Sequence, residues 1–417
     1  MPSNMQPLLQ GRTRTEPIIN VQQAGGDSPQ PKVRRRVSSA AHDNAPLPLP
    51  SRWSPLLPSL GLWATLQKLA VLTANLQWWM GFPGKWLWQF VRLVAFVLLM
   101  LPGFIPPFIT YMWSAQIKKN IPYGPSFRHQ LDIYLPAASS SPKNRRAPVV
   151  IFISGGAWII GYKAWGFIMG QLFQQYGVLF IAPDYRNFPE ASVGSMVEDV
   201  IMALGWIFEN LDELGGDLAN ITLMGQSAGA HLSALALLEQ AAREAGRKEG
   251  LTWSVQDLVR WVGISGPYDA IDMLPTMRNR GLPTSVILAL MDHDLAGFSP
   301  TRRVRDLNIA DPGGVLGLLP AAHLFHGTAD ETVHWQQSEA FAQALKQGLT
   351  TVETKFYEGK SHTDPILEDP VQGAGDQLMA DLLKLVCPAS AATSAKSGFW
   401  RLQPAVLLKV AKQCNPF

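Results

Sequence analysis

The sequence predicts an α/β fold in which helices cover both faces of a mostly parallel β-sheet. From about Tyr123 onward, short apolar runs of strand length alternate with longer segments that have helical spacing. Several of the short runs are continuously apolar, which is typical of strands buried on both faces. This regular alternation of strand and helix favours a parallel sheet over an antiparallel sandwich.

The predicted elements follow one another along the chain. Strands are predicted at Leu131–Leu135, Pro148–Ile153, Val178–Ala182, Ile221–Met224, Val259–Ile264, Ala321–Phe325 and Thr354–Tyr357. Helices are predicted at Met196–Leu211, at Ala228–Ala242, and at about 336–346 and 374–386. Residues 267–315 interrupt the alternation, so we expect them to form a cap insertion.

The bulk composition is that of a globular protein with an unusual front end. The chain has 417 residues, 47% hydrophobic and 16% charged, which excludes wholesale disorder. Residues 1–120 carry twelve lysines and arginines against three acids, whereas acids are in excess in the rest of the chain. The two cysteines, Cys387 and Cys414, predict no disulfide framework and fit a reducing compartment. No His, Cys and carboxylate cluster has metal-ligand spacing, and we expect neither a metal nor a cofactor.

Composition divides the chain into four predicted regions. Residues 1–50 are rich in Pro, Gln, Ser and Arg, contain no aromatic residue and no signal-peptide core, and are predicted to be disordered. Residues 51–120 form an apolar, basic region. Residues 121–390 form the main domain, with the cap at about 267–315, and residues 391–417 form a C-terminal tail.

Residues 51–120 are predicted to associate with a membrane. They contain no acidic residue and seven of the 14 tryptophans, and Leu93–Trp113 has no charge over 21 residues, enough to cross a bilayer. Tryptophans near its ends suit a lipid–water interface, and flanking cations suit anionic lipid. Pro102, Pro106 and Pro107 argue against a simple span because proline breaks helices. Spanning helices, a re-entrant hairpin and a buried packing helix therefore all stay open. Nucleic acid is not expected as a partner, because the basic residues lie among apolar runs.

One short motif carries the chemistry. Residues Gly225–Gly229 have the sequence Gly-Gln-Ser-Ala-Gly, which fits G-x-S-x-G, and they lie between a predicted strand and a predicted helix. A strand–turn–helix of this kind holds a serine at a strained, exposed bend, and the glycines keep side chains off the turn. Ser227 is therefore predicted to be the nucleophile of an α/β-hydrolase fold.

A serine nucleophile needs a base, and the base needs an acid that fixes its tautomer. In this fold the order along the chain is nucleophile, acid, histidine. Asp330 follows one predicted strand, within the pattern His-Gly-x-x-Asp, and His362 follows the next strand. We predict the triad Ser227, Asp330 and His362, with Glu331 as the rival acid. His231, one turn into the helix after Ser227, is predicted to be a packed or hydrogen-bonded helix residue.

Acyl transfer also requires donors for the developing oxyanion. The backbone N–H of Ala228 is one candidate. The others are expected from the loop after strand Pro148–Ile153, which has the sequence Ser154-Gly155-Gly156-Ala157-Trp158. Its consecutive glycines let the backbone approach a substrate.

Longer motifs resemble those of the isoprenylcysteine methylesterases, which are α/β-hydrolases akin to the hormone-sensitive lipase group. The matching segments are Phe152–Lys163, Asp184–Pro189, Met224–His231, Gly359–Asp364 and Leu407–Lys412. The resemblance extends from about residue 60 to the end. Ser154 and Ala157 replace the outer His and the third Gly of the lipase group's His-Gly-Gly-Gly, a kind of change that the methylesterases share.

The resemblance implies hydrolysis of the carboxyl methyl ester on a C-terminal prenylated cysteine, at endoplasmic reticulum or Golgi membranes, with the catalytic domain facing the cytosol. It implies that Ser227, Asp330 and His362 are nucleophile, acid and base. It also implies oxyanion and substrate contacts from Gly156, Ala157, Trp158, Gln226 and Ala228. The implied partners are prenylated protein C-termini, prenylcysteine methyl esters and membrane lipid.

Two other functions stay open at this point. A membrane-bound general carboxylesterase or lipid deacylase would use the same triad with a different acyl pocket. A ligand receptor of this fold would have lost catalysis, and the complete set of Ser227, Asp330 and His362 argues against it. For a prenylated substrate, we expect the cap and the apolar stretch 62–113 to line the prenyl groove.

Overall fold

An eight-stranded β-sheet forms the centre of the computed structural model, which describes residues 62–81, 84–136, 146–246, 250–310, 314–348, 351–372, 377–388 and 403–416. The strands are β1 (Ile117–Pro122), β2 (Gln130–Tyr134), β3 (Ala147–Ile153), β4 (Leu179–Pro183), β5 (Gly216–Gln226), β6 (Arg260–Ile264), β7 (Ala321–Gly327) and β8 (Val352–Tyr357). Across the sheet their order is β1-β2-β4-β3-β5-β6-β7-β8. Strand β2 pairs antiparallel with β1 and β4, and the other neighbouring pairs are parallel.

Helices cover both faces of this sheet. They are α1 (Leu62–Met80), α2 (Trp86–Trp113), α3 (Phe167–Gln175), α4 (Val193–Asn210), α5 (Ala228–Ala245), α6 (Ala270–Asn279), α7 (Thr284–Leu290), α8 (Pro300–Ala310), α9 (Gln336–Gln347), α10 (Asp369–Gln372), α11 (Gln377–Val386) and α12 (Ala405–Cys414). A π-helical turn, Asp364–Glu368, precedes α10. Every strand predicted from the sequence is confirmed by an overlapping strand of the sheet.

The strands have continuous apolar sequences because both faces of the sheet are buried. Val149, Ile151 and Ile153 of β3 lie in a core cluster with residues of α4, α5 and α9. Val150 and Phe152, on the opposite face of the same strand, lie in a second cluster with residues of α2, α3, α11 and α12. Because neither face of the sheet is exposed to water, apolar and polar residues do not alternate along these strands.

Strand β1 was not predicted from the sequence. It carries Lys118, Lys119 and Asn120 and lies at one edge of the sheet, paired with β2. An edge strand with charged side chains has no apolar pattern to recognise. The sequence analysis therefore assigned these lysines only to the flank of an apolar segment.

The helix α2 continues through three prolines at which the sequence argument expected a break. They are Pro102, Pro106 and Pro107. The side chain of Gln403 accepts from the Gly103 N–H and donates to the Leu99 carbonyl, both at 2.9 Å, so it is inserted into the helix ladder. Gln171 donates to the carbonyl of Pro107 at 2.7 Å. Side chains from the rest of the protein thus supply partners to the backbone of the proline-containing stretch.

The predicted cap region contains α6, α7 and α8, and α1 lies beside it. Helix α1 contacts α7. Trp79 of α1 packs edge-on against Phe188, with ring centroids 5.7 Å apart. Lys68 of α1 forms an ion pair with Glu190 at 2.7 Å. Helix α1 is therefore packed on the protein body.

One of the four predicted regions lies wholly outside the described residues, and the other three lie partly outside them. The tail 1–50, predicted to be disordered, lies outside them, and so do residues 391–402 of the C-terminal tail. Residues 403–416 are described and include α12, which packs along α2.

Candidate active site

Ser227 lies in the turn between β5 and α5, with φ 52° and ψ −122°. This positive φ is rare for residues with a side chain. A Cβ on Gly229 would lie 2.0 Å from the carbonyl oxygen of Ile153, and a Cβ on Gly225 would lie 2.4 Å from that of Gly229. Only glycine fits at both positions. The Ser227 amide donates to the Ile264 carbonyl on β6 at 2.8 Å, which fixes the bend at the carboxyl end of the sheet.

His362 connects Ser227 to Asp330. Its Nε2 lies 2.9 Å from Ser227 Oγ, and its Nδ1 lies 2.7 Å from Asp330 Oδ2. The three residues follow three different strands, β5, β7 and β8, and all three are buried. Because the carboxylate accepts a hydrogen bond from Nδ1–H, Nε2 carries no proton and is free to accept the proton of the serine. Glu331, the rival acid, is exposed.

Four hydrogen bonds hold the carboxylate of Asp330. Oδ1 accepts from the amides of Thr332 and Val333, both at 2.8 Å, and Oδ2 accepts from His362 and from His326 Nε2 at 3.1 Å. Burial acts to raise the pKa of Asp330, but the charge of His362 and the hydrogen bonds from both histidines outweigh it. They hold this pKa well below its usual range, so the carboxylate is ionised at neutral pH.

His326 is a member of the site that the sequence analysis placed only beside the acid loop. Its Nε2 also lies 2.7 Å from the carbonyl oxygen of Val333, and its Nδ1 lies 2.7 Å from Ser338 Oγ. Both groups that face Nε2 are acceptors, so we assign the ring proton to Nε2, and the hydroxyl of Ser338 donates to Nδ1. The four-residue spacing from His326 to Asp330 was the signal for this contact.

The glycine loop passes beside the nucleophile. A Cβ on Gly155 would lie 2.9 Å from the Cβ of Ser227 and 2.2 Å from Oε1 of Gln226. Three consecutive residues of the loop have positive φ: Gly156 at 132°, Ala157 at 50° and Trp158 at 62°. Within the described residues, the amides of Gly156, Ala157 and Ala228 have no protein acceptor. Strained backbone with free amides next to a nucleophile suits the binding of an oxyanion.

The side chain of Trp158 is buried against His231. It is 4% exposed, and its indole N–H donates to Nδ1 of His231 at 3.2 Å. Nε2 of His231 donates to the carbonyl of Phe298 in the cap at 2.7 Å. Burial lowers the pKa of His231 to about 4, so its ring is neutral at pH 7. The prediction of a hydrogen-bonded helix histidine is confirmed, and His231 links the glycine loop to the cap.

The C-terminal helix contacts the segment that carries His362. Asn415 donates to Thr363 Oγ1 at 2.6 Å and to Oε1 of Glu368 at 2.9 Å. Lys412 forms an ion pair with Asp364 at 2.6 Å. The residues on the C-terminal side of His362 are thus bonded to the tail, a contact that no sequence signal indicated.

Helix α2 is bonded near both of its ends to segments of the site. Toward its N-terminal end, Arg92 donates to the carbonyl of Asn415 at 2.6 Å. Toward its C-terminal end, the hydroxyl of Tyr111 donates to Asp132 at 2.6 Å, and Asp132 is paired with the buried Lys163 at 2.5 Å. Lys163 follows the glycine loop in the chain. The segment after His362 therefore connects to α2 through Asn415, and Lys163, beyond the glycine loop, connects to α2 through Asp132.

The arrangement can activate a serine for attack on a carbonyl carbon. It combines a hydrogen-bonded serine, histidine and carboxylate with free amides at the serine turn and in the glycine loop. Among the described residues, no group of three or more His, Cys, Asp or Glu side chains could hold a metal ion.

Known proteins are similar to this chain in sequence and in fold. Residues 131–345 match the BD-FAE family. A probable isoprenylcysteine alpha-carbonyl methylesterase from Oryza sativa subsp. japonica is 38% identical over 355 residues, which is 84% of this chain and 82% of that protein. The isoprenylcysteine alpha-carbonyl methylesterase of Arabidopsis thaliana is 36% identical over 352 residues, 83% of this chain and 81% of that one.

A solved structure, esterase B from Lactobacillus Rhamnosis, matches with a TM-score of 0.53 at 18% identity and covers 73% of this chain and 96% of that one. This likeness shows the α/β-hydrolase fold. The sequence relatives establish that the chain is a carboxylic ester hydrolase and belongs to the isoprenylcysteine alpha-carbonyl methylesterase family.

Proposed function

We propose that this protein hydrolyses the methyl ester of C-terminal prenylcysteine, with Ser227 as nucleophile, His362 as general base and Asp330 as the acid that orients the base. The observation that carries the proposal is the hydrogen-bonded row of these three side chains, with distances of 2.9 and 2.7 Å. Both are short enough for direct proton transfer and orientation. The names of the relatives support the choice of substrate class.

The geometry supports a two-step reaction. Ser227 Oγ attacks the ester carbonyl carbon while its proton passes to Nε2 of His362, and Asp330 stabilises the imidazolium. The amides of Ala228 and of the loop Gly155–Trp158 donate to the oxyanion. His362 then gives its proton to the leaving oxygen, so methanol departs and an acyl-enzyme stays. Water attacks that ester with His362 again as base, which releases Ser227 and the prenylcysteine carboxylate.

The position of α1 suits a substrate with a long apolar chain. Trp79 packs on Phe188, whose amide donates to the carbonyl of Trp158 at 2.9 Å. Phe188 therefore connects α1 to the glycine loop, and α1 also contacts α7 in the predicted cap. We expect the prenyl chain to lie between α1 and the cap, next to the ester at Ser227.

We also propose that the protein works at endoplasmic reticulum or Golgi membranes, with the catalytic domain facing the cytosol. The exposed apolar side chains of α1 and α2 support attachment to lipid, since soluble proteins rarely leave such surface uncovered. A prenylated protein C-terminus resides at a membrane, so attachment raises the local concentration of this substrate.

The test is a comparison of three substrates with the full-length protein. We expect farnesyl-cysteine methyl ester to be the preferred substrate and to yield equal amounts of methanol and farnesylcysteine. Ser227→Ala is the matched control and should release neither product above background. A preference for a short p-nitrophenyl ester or for a triacylglycerol would contradict the proposal and favour a general carboxylesterase or a lipid deacylase. A wild-type protein that no fluorophosphonate labels would contradict the serine mechanism itself.

A further inference from the structure

Helix α2 has two opposite faces. The inner face packs on the protein body through Phe96, Met100, Gly103, Pro107 and Tyr111. At about 100° per residue, these five lie within an arc of about 80°. The outer face is centred on the opposite side of the helix. It consists of the exposed apolar residues Trp88, Phe90, Val91, Val94, Val97, Leu98, Leu101, Ile105, Phe108, Ile109, Met112 and Trp113.

The inner face is too long for α2 to cross a bilayer as a separate helix. Among the described residues, α2 is the one helix long and apolar enough to span a membrane. Its contact with the body runs from Phe96 to Tyr111, about 22 Å, whereas the hydrocarbon core is about 30 Å thick. A spanning α2 would draw into the hydrocarbon the elements packed along it, including α3 and α12. Helix α12 carries the exposed cations Lys409 and Lys412, which are costly in lipid.

A re-entrant hairpin of α1 and α2 meets the same objection. Such a hairpin would have to leave the body and enter the bilayer. Yet α1 is held by the Lys68–Glu190 ion pair and by Trp79 on Phe188, and α2 is held along its inner face. The packing leaves the exposed apolar side chains of α1 and the outer face of α2 as the surfaces that can enter lipid.

We infer that α2 lies parallel to the plane of one anionic leaflet, with its outer face in the boundary between headgroups and acyl chains. This inference rests on the membrane attachment proposed above. Trp88 and Trp113, near the two ends of the outer face, are 66% and 75% exposed, and tryptophan favours that boundary. Lys85, Lys118 and Lys119 flank the same ends, and residues 51–120 contain no acid that would repel anionic lipid.

A second copy of the chain is the rival occupant of the outer face. A two-fold contact would bring the basic ends of one α2 toward those of the other. With no acid among residues 51–120, this region has no opposite charges to pair with them. Charge complementarity therefore favours lipid.

Fluorescence quenching tests the depth of α2. A fluorophore is placed on Leu98→Cys, near the middle of the helix, in full-length protein whose Cys387 and Cys414 are serine. With vesicles of phosphatidylcholine and phosphatidylserine, we expect stronger quenching by nitroxides high on the acyl chain than by nitroxides near the bilayer centre. The opposite order would indicate a span and overturn the inference. If the fluorophore were instead shielded from quenching without vesicles, and more so at higher protein concentration, a second copy of the chain would cover this face. That result would also overturn the inference. Ile309→Cys, 83% exposed on α8, is the control and should not be quenched.

Labelling from one side of a sealed membrane tests the orientation independently. Lys85→Cys and Ala115→Cys lie just before and just after α2. In sealed microsomes, we expect a membrane-impermeant maleimide to label both to the same extent without detergent. A span predicts that one of the two labels only after detergent, which would overturn the inference. Hydrolysis of a water-soluble ester, measured on the same samples, separates a failure of orientation from a failure of the proposed esterase activity.

Discussion

The residues around Ser227 and the helices α1 and α2 differ in which side chains they expose to solvent. In the centre, polar groups are removed from water and each is given a partner: Asp330 and His362 are 3% and 4% exposed and hydrogen-bonded. In the layer formed by α1 and α2, here called the helical layer, large apolar side chains are exposed: Trp78 is 87% exposed and Trp113 is 75% exposed. The first arrangement serves chemistry in a dry site. The second suits a surface whose solvent is lipid rather than water.

The two regions nevertheless meet through polar contacts. Arg92 of α2 bonds to Asn415, which bonds to Thr363 beside His362. Tyr111 bonds to Asp132, the partner of Lys163 beyond the glycine loop. Helix α2 therefore has an exposed apolar face and is also bonded to the framework around Ser227. Substitutions in each region, and at their junction, separate these roles.

The largest effect is expected in the catalytic centre. Ser227→Ala or His362→Ala should lower kcat by roughly 10⁴- to 10⁶-fold, because nucleophile and base act as a unit, and Asp330→Asn should cost as much or less. Vesicle binding should not change, since none of these residues lies in the helical layer. Steady-state kinetics and vesicle flotation measure the two properties. If a folded His231→Ala protein proved as inactive as His362→Ala, the assignment of the base would be wrong.

The reverse pattern is expected for the outer face of α2. Leu98→Asp combined with Leu101→Asp should weaken binding to anionic vesicles on the order of 100-fold, because two carboxylates must leave the acyl region. The kcat for a water-soluble ester should stay within about twofold, a change of under 0.5 kcal/mol in the barrier. Ile309→Asp is the matched control, an exposed apolar residue on a helix outside the layer, and should alter neither property. Unchanged vesicle binding of the double variant would argue against this face as the lipid contact.

A smaller effect is expected at the junction of the two regions. Asn415→Ala removes the bonds to Thr363 and Glu368, so the segment after His362 is less firmly held. We expect kcat per titrated active site to fall on the order of 10-fold with little change in KM, because geometry rather than binding is disturbed. Lys409→Ala, at an exposed position of α12, which Asn415 directly follows, is the control. A purely structural role would lower the melting temperature while leaving kcat per site unchanged.

The smallest effect concerns the pH dependence of stability. Burial, followed by the charge of Asp364, raises the pKa of Glu368 from its ordinary 4.5 to about 7. Between these two pH values, Glu368 keeps its proton in the folded protein but has lost it in the unfolded chain. Its contribution to the stability of the folded state is therefore complete below pH 4.5 and declines as the pH rises to 7. Glu368→Gln does not titrate.

The stability of the Glu368→Gln variant relative to wild type should therefore rise by roughly 1–3 kcal/mol from pH 5 to pH 8. Denaturant unfolding at both pH values measures this change. Glu353→Gln, at a side chain that is 70% exposed, is the control and should show a smaller slope. If the free energy of unfolding of Glu368→Gln differed from that of wild type by the same amount at pH 5 and at pH 8, the raised pKa of Glu368 would be contradicted.

The sequence predicted what depends on local pattern. The strands of the buried sheet were found because both of their faces are apolar. The G-x-S-x-G pattern located the turn at Ser227 because both glycines are required there: a Cβ at either position would lie 2.0 or 2.4 Å from a backbone carbonyl oxygen. The acid and the histidine followed from strand ends. What the sequence did not predict depends on distant partners: the passage of α2 through its prolines, which Gln403 supports from the C-terminal tail, and the contacts of Asn415. Side chains some 300 residues apart leave no local signal.

One measurement tests the central claim most directly: kcat/KM for S-farnesyl-cysteine methyl ester against S-methyl-cysteine methyl ester in the same detergent. Both substrates present the same ester to Ser227, so their ratio reports only what the apolar chain contributes. Each buried methylene is worth about 0.8 kcal/mol. We therefore predict a ratio of several orders of magnitude, up to the diffusional ceiling. A ratio near one would leave a serine esterase standing and would contradict the assignment of a prenylcysteine substrate.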